Sequence, residues 1–464
     1  MSSDPDTGDA AVVPPTPLDE IDSALEALGV DTGEFERPSL VGIREAGPSA
    51  GPGDPNGRRG RFGSPLPRNF RLLWGATALS NLGDGLRLVA LPLLATSVTD
   101  DPRLIAGVTV AERLPWLIFI LPGGAWADRY DRRVLRMRLD MARAVVMAGL
   151  VAVILFDQVS IGVLFLVAAL LASAEAVVDS SSMAMIPATV DLGDLERAGG
   201  RLGSTELAMN DLVGPPIGGL LFGLAIAVPF GLDALSFAGA AFVMAFMSGS
   251  FTSGAVHAPG VRMRTRVSEG FHWLWTQHLL RMLAVISTGL GTASFIGNAV
   301  FVLYARDVLG LSEFGYGVLL VPGAIGGIIG SLIAPRFRRF PLRITLSCAV
   351  LASGLATWLI AATSVPVVAG LLTAVSLGAI MVWNVLTLAL RQRLIPNEVL
   401  GRVGASYRFL VYLGMPVGAL IGGILAHRYG VRSAIFVSGS ILVFLGLVVP
   451  VLLKGVDRVE SRPA

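Results

Sequence analysis

The chain has 464 residues, of which 53% are hydrophobic and only 15% are charged, with a net charge of +2. Soluble proteins carry about 25% charged residues, and roughly 20 consecutive apolar residues suffice to cross a bilayer. The composition excludes an ordinary soluble protein and predicts an all-α integral membrane protein. A single cysteine excludes a disulfide framework, and the four histidines lack ligand spacing, so we expect neither a metal nor a cofactor. The arginines form no stripe with aromatic residues, and we expect no nucleic-acid partner.

Residues 1–68 differ in kind from the rest of the chain. They are rich in proline and glycine, and twelve acidic residues stand against six arginines. Because no apolar run follows an early basic residue, this segment does not resemble a signal peptide. We predict a disordered, acidic cytoplasmic tail. Within it, residues 18–30 fit a few helical turns, either a transient helix or a docking segment.

Apolar runs from Asn69 onward predict twelve membrane-spanning helices. Their approximate limits are 71–97, 104–126, 134–156, 161–184, 204–227, 230–250, 280–304, 314–335, 342–363, 366–389, 404–426 and 431–453. This gives a first six-helix bundle at 69–250, a linker at 251–279, a second bundle at 280–453 and a tail at 454–464. Apolar residues recur at helical spacing between the arginines of the linker, which predicts an amphipathic helix on the membrane surface.

The basic residues are distributed unequally about these spans. If the amino terminus is placed inside, 29 of the 36 basic residues fall on the cytoplasmic side and four on the other side. Because positively charged loops stay in the cytoplasm, the protein is predicted to be a multi-pass cell-membrane protein with both termini cytoplasmic.

A charged loop, GGAWADRYDRRVLRMR at 123–138, separates spans two and three. Glycine permits close helix approach, a carboxylate at a helix end accepts from backbone N–H groups, and arginines can pair with carboxylates of adjoining spans. Such a network would hold one gate closed and break in the other state. The predicted conformational latch comprises Gly124, Asp128, Arg129, Arg132 and Arg133. The alternative is a positively charged topology anchor, a role we assign to Arg136 and Arg138.

Two motifs recur in the second half of the chain. GSLIAPRFRRFPLR at 330–343 echoes the charged loop, and GRLGS at 200–204 matches GRVGA at 401–405. Shortly after the latter pair stand VGPPIGG at 213–219 and LGMPVGALIGG at 413–423. Both pairs occupy equivalent places in the order of spans. The chain is therefore predicted to contain two six-span halves in parallel repeat, a signature of secondary transporters.

These motifs resemble the major facilitator superfamily over residues 69–453. GGAWADRYDRR is similar to its loop signature between spans two and three, with Trp126 and Asp131 as departures. GPPIGG at 214–219 resembles the exporter signature of span five, although Asn210 replaces a usual glycine. Residues 69–95 are similar to the first span of the drug-efflux branch that includes macrolide and siderophore exporters. The resemblance implies the major facilitator fold and a rocking transport cycle in which the charged loop is a latch.

In span five, two prolines remove backbone donors and bend the helix, while glycines offer a face for tight packing. The predicted exporter motif consists of Gly214, Pro215, Gly218 and Gly219. A kinked packing helix without a transport role is the alternative.

Ionisable residues inside spans are costly and therefore candidates for function. Asp84 and Arg87 are three residues apart in span one, so they can share a face and form an intramembrane charge pair. Glu175 and Asp179 line one face of span four. We predict Asp84, Glu175 and Asp179 as proton-coupling residues, with a purely structural Asp84–Arg87 pair as the alternative. Arg113 and Arg143 also lie inside spans, and three further acids lie nearer span ends: Glu206, Asp211 and Asp233.

The sequence favours a secondary active transporter that couples protons to the efflux of amphipathic small molecules, acting as a monomer in the lipid bilayer by alternating access. An importer or uniporter of a small polar solute is an alternative, but few Asn or Gln residues occur in the spans. A dedicated siderophore or metabolite exporter is a second alternative. An enzyme is not expected, because no nucleophile elbow, zinc motif or P-loop occurs.

Overall fold

The computed structural model describes residues 66–119, 130–249, 251–252, 263–454 and 456. Most of the predicted acidic tail and three latch residues (Gly124, Asp128 and Arg129) lie outside this part of the chain. The described α-helices are α1 (Arg68–Val98), α2 (Pro102–Phe119), α3 (Arg132–Leu155), α4 (Ile161–Thr189), α5 (Leu195–Glu206), α6 (Gly214–Leu224), α7 (Ala227–Ala245), α8 (Met263–Thr276), α9 (His278–Asn298), α10 (Phe301–Leu303), α11 (Glu313–Ile333), α12 (Leu342–Ala362), α13 (Pro366–Leu394), α14 (Asn397–Tyr429) and α15 (Val431–Leu452).

Two π-helical segments extend these helices without a break. Leu207–Val213 joins α5 to α6, and Tyr304–Val308 continues α10. The first segment ends one residue before Gly214, which is followed by Pro215 and Pro216, and these prolines have no N–H to give to the preceding turn. The hydrogen-bond ring is wider here, because Gly214 N–H donates to the Met209 carbonyl five residues earlier.

Within the described residues, nine helices are long and apolar enough to cross a membrane. The helices α1, α2 and α3 are not among these nine. Each of the three carries charged residues in its middle, namely Asp84 and Arg87 in α1, Glu112 and Arg113 in α2, and Asp140 and Arg143 in α3. Their lower apolarity therefore comes from the charges that form the candidate site.

Several predicted boundaries need correction. Continuous helix leading into span five begins at Leu195 rather than near residue 204, and α14 begins at Asn397 rather than near 404. Helical hydrogen bonds are local, so a helix continues beyond its apolar part until a cap or proline ends it. Apolarity alone therefore placed these starts too late.

The linker helix α8 packs part of its surface against α14, a contact that the sequence did not predict. Leu274 is fully buried, and the ring of Phe271 meets Phe409 of α14 at 5.9 Å between centroids. Gly270 lies against the backbone of Arg402, whose side chain donates to Glu269 at 2.7 Å. The apolar face of α8 is thus partly used to hold α14, while Trp275 remains exposed.

Helices before and after α8 pack in the same pattern. In the first group α7 packs on α1 and α3, α4 packs on α2 and α3, and α6 packs on α1. In the second group α15 packs on α9 and α12, α13 packs on α11 and α12, and α14 packs on α9. The major contacts between the groups are α6 with α11 and α14 with α2. These two contacts also correspond to each other, as expected for a repeated unit.

Candidate functional site

A network of buried charges crosses the first group of helices. It begins at Asp84 of α1, whose Oδ1 accepts from Arg87 Nη2 at 2.5 Å and from Arg143 Nη2 of α3 at 2.6 Å. Arg87 also donates to Glu175 Oε2 of α4 at 3.2 Å, and its Nε lies 3.6 Å from Asp233 Oδ2 of α7. Four helices are therefore held together by ion pairs inside an apolar bundle.

The network continues along α3 towards the charged loop. Arg143 Nη1 lies 3.6 Å from Asp140 Oδ1, and Arg136 Nε lies 3.5 Å from Asp140 Oδ2. Arg136 also donates to the Ser182 hydroxyl. Because Arg136 is only 1% exposed, its prediction as a surface topology anchor is wrong. Spacing of three and four residues places these side chains on one face of α3, and that face is turned inward.

The loop end of α3 is tied to neighbouring backbone. Asp131 caps the helix by accepting from the N–H groups of Arg133 and Val134, and its second oxygen accepts from Phe251 N–H. Arg132 donates to the Ala184 carbonyl at 3.0 Å, and Arg133 donates to the Met247 carbonyl. Asp131, where the loop departs from the family signature, thus has a structural role as a cap. We call this end of the bundle the signature side.

The structure brings some of the predicted site residues together and leaves one apart. Asp84, Arg87 and Glu175 belong to the network, and the Glu175 side chain is 29% exposed. Asp179 is exposed, and within the described residues it has no hydrogen bond or ion pair. The same helical face therefore carries one acid engaged by arginine and one acid open to solvent.

The span-five motif forms two close contacts. A Cβ on Gly214 would lie 2.5 Å from Gly85 Cα, and one on Gly218 would lie 2.5 Å from the Leu86 carbonyl oxygen. The helices α6 and α1 therefore touch backbone to backbone. Gly219 has no room for a Cβ beside the Glu313 carbonyl of α11, and Gly317 of α11 has none beside Pro215. The motif accordingly holds α6 against α1 of its own group and against α11 of the other group.

A second set of contacts between the groups lies at the end opposite the signature side. Arg306 donates to Asp100 at 3.1 Å and to the Thr96 carbonyl at 3.3 Å. His427 Nδ1 lies 3.4 Å from Asp101 Oδ1. Hydrogen bonding from Arg103 lowers the pKa of Asp101 to about 2, so this carboxylate stays charged at physiological pH. We call this end the opposite side.

A cavity of about 760 Å³ lies between the two groups of helices. Aromatic rings line much of its wall, namely Phe295, Phe301, Tyr316, Trp383, Tyr407 and Tyr412. Charged side chains from both groups also line it, namely Glu112, Arg113, Asp211, Arg391 and Arg408. A space of this size and mixed character suits a drug-sized molecule with an apolar body and a polar or charged group.

One polar wall of the cavity is held rigidly by hydrogen bonds. Ser287 and Tyr407 hydroxyls are 2.6 Å apart, and Trp383 Nε1 donates to Ser287 at 3.2 Å. The guanidinium of Arg391 lies 3.8 Å from the centre of the Tyr407 ring. These contacts connect α9, α13 and α14 along one side of the cavity.

The cavity and the charge network meet through α1. Asp84 and Arg87 enter the network, whereas Leu88 and Pro92 of the same helix line the cavity. None of the network residues is among those lining the cavity in the described structure. A change in the network can therefore reach the cavity by moving α1.

Sequence reasoning missed Asp140 and did not place Asp233 in the network. Asp140 stands four residues after Arg136 and three before Arg143, a spacing that already indicated ion pairs on one helical face. Asp233 lies in the first half of α7, as the sequence indicated, and it is fully buried beside Arg87. Its place depends on how α7 packs on α1, which the local sequence does not reveal.

Ion pairs buried among apolar helices, beside a cavity between two similarly packed groups, define a membrane transporter of the major facilitator type. Residues 63–462 match the family described as "Transmembrane secretion effector". The chain belongs to this family, a branch of the major facilitator superfamily, in agreement with the resemblance drawn from its motifs. It is a multi-pass membrane transporter and not an enzyme.

Curated relatives extend over most of the chain. The multidrug efflux pump Tap of Mycobacterium tuberculosis is 27% identical over 408 residues, covering 84% of this chain and 92% of that protein. Tap of Mycolicibacterium fortuitum is 28% identical over 414 residues, covering 84% and 94%. Macrolide efflux protein A of Streptococcus pyogenes is 22% identical over 390 residues, covering 82% and 95%.

Solved structures share the fold at low identity. A mutant of the nucleoside transporter NupG superposes with a TM-score of 0.72 at 12% identity, covering 83% of this chain and 100% of that chain. A bacterial homologue of the lysosomal transporter Spinster, inward-facing and occupied, superposes with a TM-score of 0.70 at 12% identity, covering 85% and 98%. These likenesses establish the fold and carry no information on the substrate.

Proposed function

We propose that the protein exports amphipathic small molecules from the cytoplasm in exchange for protons, by alternating access. The observation that carries the proposal is the buried charge network of α1, α3, α4 and α7 beside a cavity lined by aromatic and charged residues. Relatives named as a multidrug efflux pump and a macrolide efflux protein support the same substrate class. The cavity would take the substrate, and the network would take the proton.

The proposed architecture is twelve spans in two six-helix bundles, at 69–250 and 280–453, joined by a cytoplasmic linker and followed by a short cytoplasmic tail. It adds α1, α2 and α3 to the nine apolar helices, because their charges are paired within the bundle or face the cavity. The matching packing of the two groups supports a parallel repeat. We further propose a functional monomer in the cell membrane.

The signature side is proposed to be cytoplasmic, with both termini on that side. Arginines concentrate there in every predicted loop, and the positive-inside rule gives this orientation. In this orientation the tight contacts of Gly219, Gly317 and Arg306 seal the outer end. The conformation would then be the one in which the cavity is loaded from the cytoplasm.

Roles follow for the predicted site residues. Asp84, held by two arginines, anchors the network, while Glu175 and Asp179 are exposed enough to exchange protons with water. Arg132 and Arg133, with Gly124, Asp128 and Arg129, form the latch of the cytoplasmic gate. The glycines at 214, 218 and 219, with Pro215, fix α6 as the element shared by both bundles.

Accumulation of ethidium in cells expressing the wild type, Asp84→Asn or Asp157→Asn tests the proposal. Wild-type protein should lower the amount of dye in the cells, and a protonophore should abolish that effect. Cells that express Asp84→Asn should accumulate as much dye as cells without the protein. Asp157 is an exposed loop residue with φ of 54°, a conformation that asparagine tolerates, so Asp157→Asn should match the wild type.

Dye extrusion that persists with a collapsed proton gradient would refute proton coupling. Lack of an effect on a broad panel of dyes would instead indicate an importer or an exporter dedicated to one metabolite.

A further inference from the structure

The network contains more acids than bases. Its ion pairs connect four carboxylates, those of Asp84, Asp140, Glu175 and Asp233, to three guanidinium groups, those of Arg87, Arg136 and Arg143. Arginine remains charged in proteins. If every carboxylate were ionised, one negative charge would lack a counterion in a largely dry bundle, which is strongly unfavourable. One acid is therefore the natural site for a proton.

Three of the four acids have a reason to be ionised. Asp84 accepts hydrogen bonds from two guanidinium groups. Asp140 is buried and neither of its oxygens has a hydrogen-bond partner in the described structure, but two guanidinium groups lie within 4 Å of it, Arg136 at 3.5 Å and Arg143 at 3.6 Å. Glu175 accepts from Arg87 at 3.2 Å and also reaches solvent, because 29% of its side chain is exposed. Two nearby guanidinium groups, or a hydrogen bond from one such group together with water, stabilise the ionised form.

Asp233 has neither advantage. Its side chain is 0% exposed, and among the described residues only Arg87 Nε, at 3.6 Å, approaches it as a cation. Neither Asp233 Oδ2 nor Arg87 Nε has a hydrogen-bond partner in the described structure, and Oδ1 has only the Ser236 hydroxyl at 3.5 Å. A carboxyl group that is dry and weakly paired favours its neutral form.

A glycine makes room for this acid. A Cβ on Gly83 would overlap both the carboxylate of Asp233 and the hydroxyl of Ser236. Gly83 immediately precedes Asp84, so the turn of α1 that carries the anchor also provides the slot for Asp233. The charged network residues on the helices around Asp233 are Asp84 and Arg87 of α1, Asp140 and Arg143 of α3, and Glu175 of α4. Asp179 is a further acid of α4, Arg136 is a further base of α3, and α6 carries no charged residue.

We propose that Asp233 holds the coupling proton in this conformation and releases it to the carboxylate of Glu175. This inference rests on the proposed proton-coupled export. On release, the O–H bond of the Asp233 carboxyl breaks, and the proton passes to the partly exposed Glu175 carboxylate and then to water. The Asp233 carboxylate that remains competes with Asp84 and Glu175 for the guanidinium of Arg87. Arg87 therefore shifts, and α1 carries that shift to the cavity through Leu88 and Pro92.

Purified full-length protein in liposomes tests the proposal with ethidium as the probe. A proton gradient should drive ethidium uptake by the wild type and by the control Asp157→Asn. Asp233→Asn mimics the permanently protonated acid, so gradient-driven uptake should fall to the level of empty liposomes, while downhill ethidium movement should persist. Absence of gradient-driven uptake in the wild type would overturn proton coupling itself. Wild-type behaviour of Asp233→Asn would overturn only the role of Asp233.

Infrared difference spectroscopy supplies an independent readout. The band of a protonated carboxyl group should be lost when wild-type protein is titrated from acid to alkaline pH, and it should be missing from Asp233→Asn. An unchanged band in the variant refutes the assignment. If Asp233→Asn does not fold, Asp233→Glu keeps the acid but extends it against Gly83, and the pH profile of driven uptake should shift. An unshifted profile would count against the proposal.

Discussion

Two arginines from different helices donate to the same carboxylate oxygen of Asp84, and both are buried. Removing one partner of a buried pair leaves an uncompensated charge, which costs more than the pair itself contributes. The network therefore tolerates exchange of a proton more readily than loss of a side chain. It is a structural tie between α1 and α3 as well as a place for coupling.

Arg143→Met should lower the free energy of unfolding by about 3 to 5 kcal/mol, because Asp84 and Asp140 each lose a buried cation. Arg103→Met is the matched control, since the Arg103 side chain is 52% exposed and pairs with Asp101 at the surface. Such surface pairs contribute less than about 1 kcal/mol. The measurement is thermal unfolding of the purified proteins in detergent.

A double variant separates the pair from its surroundings. Asp84→Asn combined with Arg143→Met should destabilise less than the sum of the two single changes, because the second change removes a charge already left unpaired. Strict additivity would mean that the two residues do not interact as the structure indicates.

At this scale the spacing of residues in the sequence indicates ion pairs between partners on one helix, as for Asp84 with Arg87 and also for Asp140, which was overlooked. Asp84 and Arg87 are three residues apart, and that spacing led to the pair without knowledge of the fold. The pairing of Asp233 with Arg87 could not be predicted, because the two residues lie on different helices. They approach each other only because Gly83 of α1 has no side chain to occupy the space of the Asp233 carboxylate. A glycine next to an intramembrane acid is a cue for such a slot, but it does not identify the partner.

At the scale of elements, α6 is held by close backbone contacts on two sides. Its glycines meet backbone of α1 at Gly85 and Leu86, and backbone of α11 at Glu313. The counterpart α14 meets α9 through Gly414, Gly418 and Gly422, and it meets α2 through Gly423. Small residues on each helix thus set the distance between neighbours in both groups.

Gly218→Ala should destabilise the protein by about 1 to 3 kcal/mol, because the new methyl group meets the backbone of Leu86 and cannot be accommodated by a rotamer change. Gly203→Ala is the control in the preceding helix, where nothing lies within 4 Å of an added Cβ. That variant should be neutral or slightly stabilised. Equal thermal unfolding midpoints for the two variants would contradict the close contact.

The motif GPPIGG and its echo at 413–423 were enough to predict that equivalent helices repeat a packing surface. The sequence did not predict which helices pack against that surface, because a face of glycines does not indicate its partner. The π-helical segment before Pro215 was likewise missed. Sequence reasoning expected the prolines to bend the helix and did not foresee the wider hydrogen-bond ring that precedes them.

The whole molecule is joined across its two groups of helices at the opposite side. There Arg306 binds Asp100, and Gly219 and Gly317 permit close contact of α6 with α11. For transport by alternating access, these contacts must separate once in each cycle. If a cross-link holds these contacts together, transport should therefore stop while each group of helices stays folded.

Cross-linking tests this requirement. With Cys348 replaced by serine, the pair Asp100→Cys and Arg306→Cys should react with a short bifunctional thiol reagent, since the native side chains meet at 3.1 Å. Ethidium transport should stop on cross-linking. Single-cysteine variants treated in the same way should continue to transport, and continued transport by the cross-linked pair would show that the opposite side does not open.

Three sides of helix α1 form contacts with other helices or part of the cavity wall, and these contacts limit how the helix can move. One side carries ion pairs to α3, α4 and α7, a second rests on the glycines of α6, and a third forms part of the cavity wall. Spinning α1 about its own axis would break several of these contacts at once. The low-energy displacement is thus a tilt shared with its neighbours, so that loss of one proton reorients a block of helices instead of a single side chain.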